Sequence, residues 1–438
     1  MRDRLGWLDA PRRSLAEWPA WTAFAAAAAR DGLDHVLVCG MGGSSLAPLV
    51  LADTFGVEQL QVLDSTAPAA VRAAEQAASL GRTLFLVVSK SGTTVETLAF
   101  YRYFAARADP RQFVAVTDPG TPLERLARDA GFRAVFPHPT DVGGRYSALT
   151  VVGMLPAALA GIDGRVLLER AAARESGDGR RLGAHLGAAA RAGRDKLVLR
   201  PPSPVAALAI WIEQLVAEST GKNGTGVVPL VGDPVGEGPD RELVTDFSAD
   251  PHDLGAEFVR WMYATVELCG ILDVNAFDQP DVDEAKVLAR VELERGPGDA
   301  TPAPATDTPT ALRRATGPGD YVAILAYLPP FPEIEAELQR VRAAWAAATG
   351  CATTLGFGPR YLHSTGQLHK GGPNTGRFLV ITAEPEADLA VPGAGYTFGR
   401  LQRAQAMGDV RALLARGRKV AHVHLERWED VGRLGEIG

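Results

Sequence analysis

Cysteine is scarce in this chain. The 438 residues hold three, at Cys39, Cys269 and Cys351, far apart and with no CxxC pair, which excludes a disulfide framework and a zinc ribbon. Long apolar runs are missing too: none approaches the roughly 20 residues of a membrane span, so no membrane partner is expected. The opening stretch MRDRLGWLDAPRR lacks the apolar core of a secretory signal, and a cytoplasmic location is expected. Basic residues show no excess. Lys and Arg total 45 against 52 Asp and Glu, a net charge of −7, whereas a nucleic-acid binder normally carries a basic surplus; no nucleic-acid partner is expected. The absence of a short-period repeat excludes a solenoid. What remains has the composition of an ordinary globular protein, long enough for two or three domains at about 150 residues each.

What is present is alternation. Strand-like apolar runs fall at 35–39, 60–63, 84–88 and 113–116, with a weaker one at 134–136. Between them lie Ala- and Leu-rich stretches of helical length, 67–78, 96–108 and 122–130. Short, uniformly apolar strands separated by helices predict a parallel sheet covered on both faces, so a doubly wound α/β domain is expected over 20–160. Residues 167–295 read as mostly helical, with a strand at 196–199 and helices at 205–218 and 254–268. The composition then shifts: 296–320, GPGDATPAPATDTPTALRRATGPGD, reads as a linker. Over 321–438 strands and helices alternate again, and these strands are expected to gather with 196–199 into a second α/β domain.

Two loops in the first domain suit an anion. After the first strand comes Gly40-Met41-Gly42-Gly43-Ser44-Ser45, where glycines let the backbone approach a phosphate and a helix N-terminus presents free N–H groups. A plain serine-capped turn explains this loop about as well. A dinucleotide fingerprint is a partial match only, because the third glycine of G-x-G-x-x-G falls on Ser45, although Asp64 ends the second strand. The strand at 84–88 runs into Ser89-Lys90-Ser91-Gly92-Thr93-Thr94-Val95-Glu96, a second hydroxyl-rich helix start on the same sheet edge. A capping box from Thr93 to Glu96 is expected there, yet a cap needs one hydroxyl and this loop has four. A phosphate monoester held between both loops is the favoured reading, through Gly43, Ser44, Ser89, Lys90, Ser91 and Thr94.

Here a resemblance becomes specific. GMGGSSLAP at 40–48 and SKSGTTVETL at 89–98 resemble the paired phosphate signatures of sugar-isomerase (SIS) domains, and within that superfamily those of phosphoglucose isomerases. VGGRYS at 142–147, QLVAESTGK at 214–222 and NAFDQP at 275–280 through Lys286 resemble that family's further segments. YLHSTGQLHKGGPNTG at 361–376 is similar to the isomerase half of fused transaldolase–phosphoglucose isomerase proteins. The resemblance implies two doubly wound parallel-sheet SIS domains, each a three-layer α/β/α sandwich. It implies interconversion of glucose 6-phosphate and fructose 6-phosphate, a glycolytic and gluconeogenic step, with a sugar phosphate as ligand and neither metal nor organic cofactor. It also implies a homodimer.

The chemistry asks for a phosphate anchor, a group to open the sugar ring, a proton carrier between C1 and C2, and positive charge beside the developing oxyanion. The resemblance assigns the proton carrier to Glu218, a residue that sequence alone leaves as an exposed helix-end acid. Gln214, one turn earlier on the same face, is placed to hold substrate hydroxyls or steady Glu218. Arg145, behind two glycines, resembles the arginine that steadies the enediolate. His363 resembles the ring-opening histidine, with an imidazole pKa of about 6.5 suited to giving and taking protons; His369, six residues on, is the competing choice. Lys286 resembles a second ring-opening residue and Gln279 a phosphate contact. His422 and His424 alternate along a strand without a nearby acid or cysteine, so a metal pair is not expected.

In conventional family members the histidine segment precedes the lysine and comes from the neighbouring subunit. Here Glu218, Lys286 and His363 follow in that order. A 25-residue flexible linker spans roughly 25–30 Å, enough to place His363 in either chain, and the family precedent favours a shared site. Two other functions stand beside the leading one. They are a dual glucose/mannose phosphate isomerase, and a non-catalytic sugar-phosphate sensor that needs only the phosphate loops.

Overall fold

The computed structural model describes residues 4–294, 304 and 306–435. Among them the strands form three sheets, all parallel. In the first, β1 (His35–Cys39), β2 (Leu60–Leu63), β3 (Thr83–Val88), β4 (Phe113–Thr117) and β5 (Ala134–Pro137) lie in the order β2-β1-β3-β4-β5. The cause is visible in β3, where every residue is buried. Leu84, Leu86 and Val88 join one core with the helices Leu46–Phe55 and Val151–Leu159, while Phe85 and Val87 join another with the helix Val95–Ala105. A strand apolar on both faces is stable only when helices cover both. The expected doubly wound parallel sheet is what forms.

The order of that sheet positions the site. From β1 the chain winds outward to β2, then crosses back so that β3 pairs with the other side of β1. The loops after β1 and β3 therefore diverge and leave a crevice at the carboxyl edge, where open α/β sheets bind ligands. These are the two Gly- and hydroxyl-rich loops.

The second half departs from expectation. Strand β6 (Lys196–Leu199) does not pair with the strands beyond residue 320. It sits between β7 (Val228–Val231) and β8 (Arg241–Val244) in the order β7-β6-β8. The later strands β9 (Tyr321–Tyr327), β10 (Ala352–Phe357), β11 (Gly376–Ala383) and β12 (Lys419–Leu425) form their own sheet, β10-β9-β11-β12. Sequence reading missed β7 and β8 because VPLV is short and holds a proline, and RELV opens on two charged residues. The two sheets share one core, in which Val198, Val228 and Leu230 meet Tyr321, Leu325 and Phe378. Where β7 and β10 abut, the buried Arg342 donates to the Val231 carbonyl (2.7 Å) and, through Nε, to the Thr353 carbonyl (3.0 Å). An arginine fork thus serves edge carbonyls that no strand pairs with, a charged seam in place of a ladder.

The expected linker is partly structured. Residues 296–303 and 305 lie outside the described residues. Thr308 accepts from the Ala311 N–H at the start of the helix Pro309–Arg314, which buries Leu312 against the last sheet. A Thr N-cap followed by Pro at the first helical position is a start signal that the bland composition hid. No helix among the described residues is long and apolar enough to cross a membrane.

Candidate active site

The loop after β1 is shaped by what surrounds it. Gly42 has φ +54°, and a Cβ there would lie 2.4 Å from the His363 carbonyl oxygen. A Cβ on Gly43 would lie 2.2 Å from the Gly144 carbonyl oxygen. Glycine is therefore required by a positive φ and by close backbone approach, and the loop is clasped between the 143–145 segment and His363. The Ser45 hydroxyl donates to the Gly42 carbonyl (3.1 Å) rather than capping the helix, and Ser44 lies half-buried in the short turn.

In the second loop the Ser89 and Thr94 hydroxyls lie 2.8 Å apart, and those of Ser91 and Thr93 lie 2.9 Å apart. The helix begins at Val95 with Thr94 as N-cap, and no side chain caps it. The expected Thr93–Glu96 capping box does not form. Thr93 is held by Ser91, and the Glu96 carboxylate is committed elsewhere. The N-cap side chain does not cap this helix start, and helix N-termini of this kind favour anions. Lys90 also departs from expectation. Its ammonium pairs with both Asp118 oxygens (2.9 and 2.7 Å) beside His138 Nδ1 (3.3 Å), which draws it away from the loop hydroxyls. Burial lowers its pKa, and Asp118 offsets this in part.

Arg145 and Glu218 face each other. The helix Leu208–Thr220 runs two residues beyond the expected end, so Glu218 lies in a buried last turn and not at an exposed terminus. Its Oε1 is 3.1 Å from Arg145 Nη1. The Arg145 guanidinium also donates to Ser219 Oγ (2.8 Å), Gln279 Oε1 (2.8 Å) and the carbonyls of Ala276 (2.7 Å) and Asp278 (2.9 Å). Every edge of the fork is engaged, and the exposed Gln279 is the acceptor a ligand oxygen most easily replaces. Lys222 pairs with Asp278 (2.8 Å) and closes the same segment.

His363 joins this pair to a cleft. The Gln214 amide donates to Glu218 Oε2 (3.0 Å) and to the His363 carbonyl (2.8 Å). On its other side the His363 ring places Nε2 2.9 Å from Glu96 Oε1. An ionised carboxylate only accepts, so Nε2 carries the hydrogen and Nδ1 is the nitrogen left for proton transfer. Burial by itself raises the Glu96 carboxyl, but the charge and hydrogen bond of His363 outweigh it and hold the group below the ordinary carboxylate range. The cleft in front has a volume of about 720 Å³ and is lined by Ser91, Thr94, Glu96, Lys286, His363 and Gln405, among others. The competing His369 is buried, with Nδ1 3.0 Å from the Tyr321 hydroxyl; burial, with Lys370 and Arg418 close by, pushes it well below the ordinary imidazole range. It faces the core of the second half, not the cleft. His422 and His424 both lie 2.9 Å from the Thr382 hydroxyl.

The structure thus brings together Arg145, Glu218, Gln214 and Gln279 in one cluster and Ser91, Thr94, Lys286 and His363 around one cleft, with Gly43 beneath Arg145. Within this chain His363 meets Gln214 and Glu96. Glu96 itself was missed as a site residue. Its place in a helix-start motif explained it away, and its partner lies 267 residues further along.

Fold and site together define an α/β protein of parallel sheets with a carboxylate–arginine pair and a histidine–carboxylate pair near the carboxyl edge of its first sheet. Residues 20–174 match the family model described as phosphoglucose isomerase. A glucose-6-phosphate isomerase of Symbiobacterium thermophilum is 32% identical over 301 residues, covering 60% of this chain and 63% of that protein. One from Synechococcus sp. (strain JA-3-3Ab) is 37% identical over 217 residues, covering 43% of this chain and 40% of its own. A crystal structure of a glucose-6-phosphate isomerase from Chlamydia trachomatis shares the fold, with a TM-score of 0.54 at 20% identity over 63% of this chain and 72% of that one. The chain spans less than two thirds of the length of these curated relatives.

Proposed function

We propose that this protein interconverts glucose 6-phosphate and fructose 6-phosphate through an enediolate. The observation that carries the reading is the Gln214 amide, which ties the Glu218 carboxylate to the turn holding His363 beside two phosphate loops. A sensor needs the loops alone; it has no use for a buried carboxylate–arginine pair next to a histidine–carboxylate pair. In this reading Ser91, Thr94 and the Val95 helix N-terminus hold the phosphate. His363, with Lys286, opens the ring by protonating O5 and taking the O1 proton. Glu218 removes the C2 proton of the open aldose and returns it to C1, and Arg145 faces the oxyanion after a substrate oxygen displaces Gln279. A coupled assay with fructose 6-phosphate tests this: turnover is expected, and binding without turnover favours the sensor.

The anchor has its own test. Replacing Ser89, Ser91 and Thr94 together by alanine is expected to weaken phosphate and fructose 6-phosphate binding, read by calorimetry, far more than it lowers thermal stability. Unchanged affinity would leave the loop as a helix start only.

A cytoplasmic homodimer is part of this reading, in which each chain uses its own His363, the residue that meets Gln214 and Glu96 of the same chain. Mixing Glu218→Gln and His363→Ala proteins under subunit exchange is therefore expected to restore no activity at any ratio. Recovery would mean that partners complement each other's sites.

A further inference from the structure

Gln405 lies in the middle of the helix Phe398–Ala415, in the second half of the chain, and is buried. Its Nε2 donates to Glu96 Oε1 (2.7 Å), the same oxygen that receives His363 Nε2. Its Oε1 accepts from the hydroxyl of the fully buried Thr66 (2.9 Å), on the loop after β2. Glu96 fixes which way round the amide sits: a carboxylate only accepts, so the NH₂ faces Glu96 and the oxygen faces Thr66. The amide therefore spans two points of the first domain from a helix of the second.

That helix is itself anchored. The Tyr327 hydroxyl reaches the Gln405 carbonyl (3.4 Å) and lies 3.0 Å from the Tyr361 hydroxyl, which donates to Asp409 (2.6 Å). Lys370 pairs with the other Asp409 oxygen (2.5 Å). Tyr361 and His363 share one short turn, so the same buried network sets both the helix carrying Gln405 and the turn carrying His363.

We infer that Gln405 is a positioning residue for ring opening: with Thr66 it locks the Glu96 carboxylate against His363 Nε2, and so aims Nδ1 into the cleft. The role rests on the isomerase reading. In its absence Glu96 Oε1 keeps His363 but loses its second side-chain donor, which leaves the carboxylate freer to turn and its charged form less well held. The imidazole then loses its fixed tautomer and direction, and misplacement by about 1 Å costs up to about 100-fold in rate.

The experiment isolates ring opening. In Glu218→Gln protein, which carries no C1–C2 proton transfer, anomerisation of glucose 6-phosphate is followed by exchange NMR. Adding Gln405→Met, or separately Thr66→Val, is expected to slow anomerisation tenfold or more for Gln405→Met and less for Thr66→Val. Affinity for inorganic phosphate and the Tm should stay close to those of Glu218→Gln alone. In otherwise unmodified protein, Gln405→Met should lower kcat with KM little changed, and move the acid limb of the pH profile upward as Glu96 protonates more readily. Unchanged anomerisation in both variants, or equal loss of anomerisation and phosphate affinity, overturns the positioning role. If the unmodified protein turns over no fructose 6-phosphate, the isomerase reading itself falls, and this role with it.

Discussion

Replacing Glu218 by glutamine is expected to lower turnover of fructose 6-phosphate by about 10²–10⁴-fold, the contribution of a positioned general base. The substitution keeps size and leaves one accepting oxygen, which can still receive the Gln214 amide, so substrate binding should survive. Ring opening should survive too, because His363 and Glu96 stand on the other side of Gln214. The measurement is a pair of rates on one sample: isomerisation by coupled assay and anomerisation by NMR. Isomerisation lost with anomerisation retained assigns proton transfer to Glu218. Near-normal isomerisation would remove it from that role.

Arg145→Met should have an effect of similar size on rate and a larger one on stability. Loss of one preorganised donor to a developing oxyanion costs about 3–4 kcal/mol of transition-state stabilisation. The side chain is also structural, since it binds the carbonyls of Ala276 and Asp278 and pairs with Glu218 in a buried setting. Removing one partner of a buried pair costs about 3–5 kcal/mol, because the other charge is left without compensation. Denaturant unfolding should therefore show a marked loss for Arg145→Met, and the double variant Arg145→Met/Glu218→Gln should recover part of it. Recovery of stability without recovery of turnover would separate the two roles. If the single variant is as stable as the parent, the pairing contributes nothing to the fold.

The parts of this protein that were legible in the chain are those written in neighbouring residues. Strand β3 announces itself because residues 84–88 are uniformly apolar, and the glycines of the 40–45 loop announce a tight turn because other residues tolerate positive φ poorly. Local patterning misled where a second use was available for the same residues. Glu96 sits where a capping glutamate sits, yet its carboxylate receives His363 and Gln405 from distant segments. Lys90 stands in a phosphate motif, yet Asp118 holds it, and that aspartate follows a different strand. Strands β7 and β8 failed the apolar test because they are four residues long and owe their place to a shared core.

By itself the sequence determined the alternation of strands and helices in the first domain, the two anion-shaped loops, and through resemblance the identity of Glu218, Arg145, Lys286 and His363 as candidates. Backbone geometry and burial along a segment are set by residues close in the chain, and those are readable one segment at a time. Only the tertiary structure decided that His363 meets Gln214, that its ring meets Glu96, and that Gln405 reaches across to hold that carboxylate. Each of these is a hydrogen bond between groups more than 140 residues apart, and its direction depends on how two sheets pack, which no local pattern encodes.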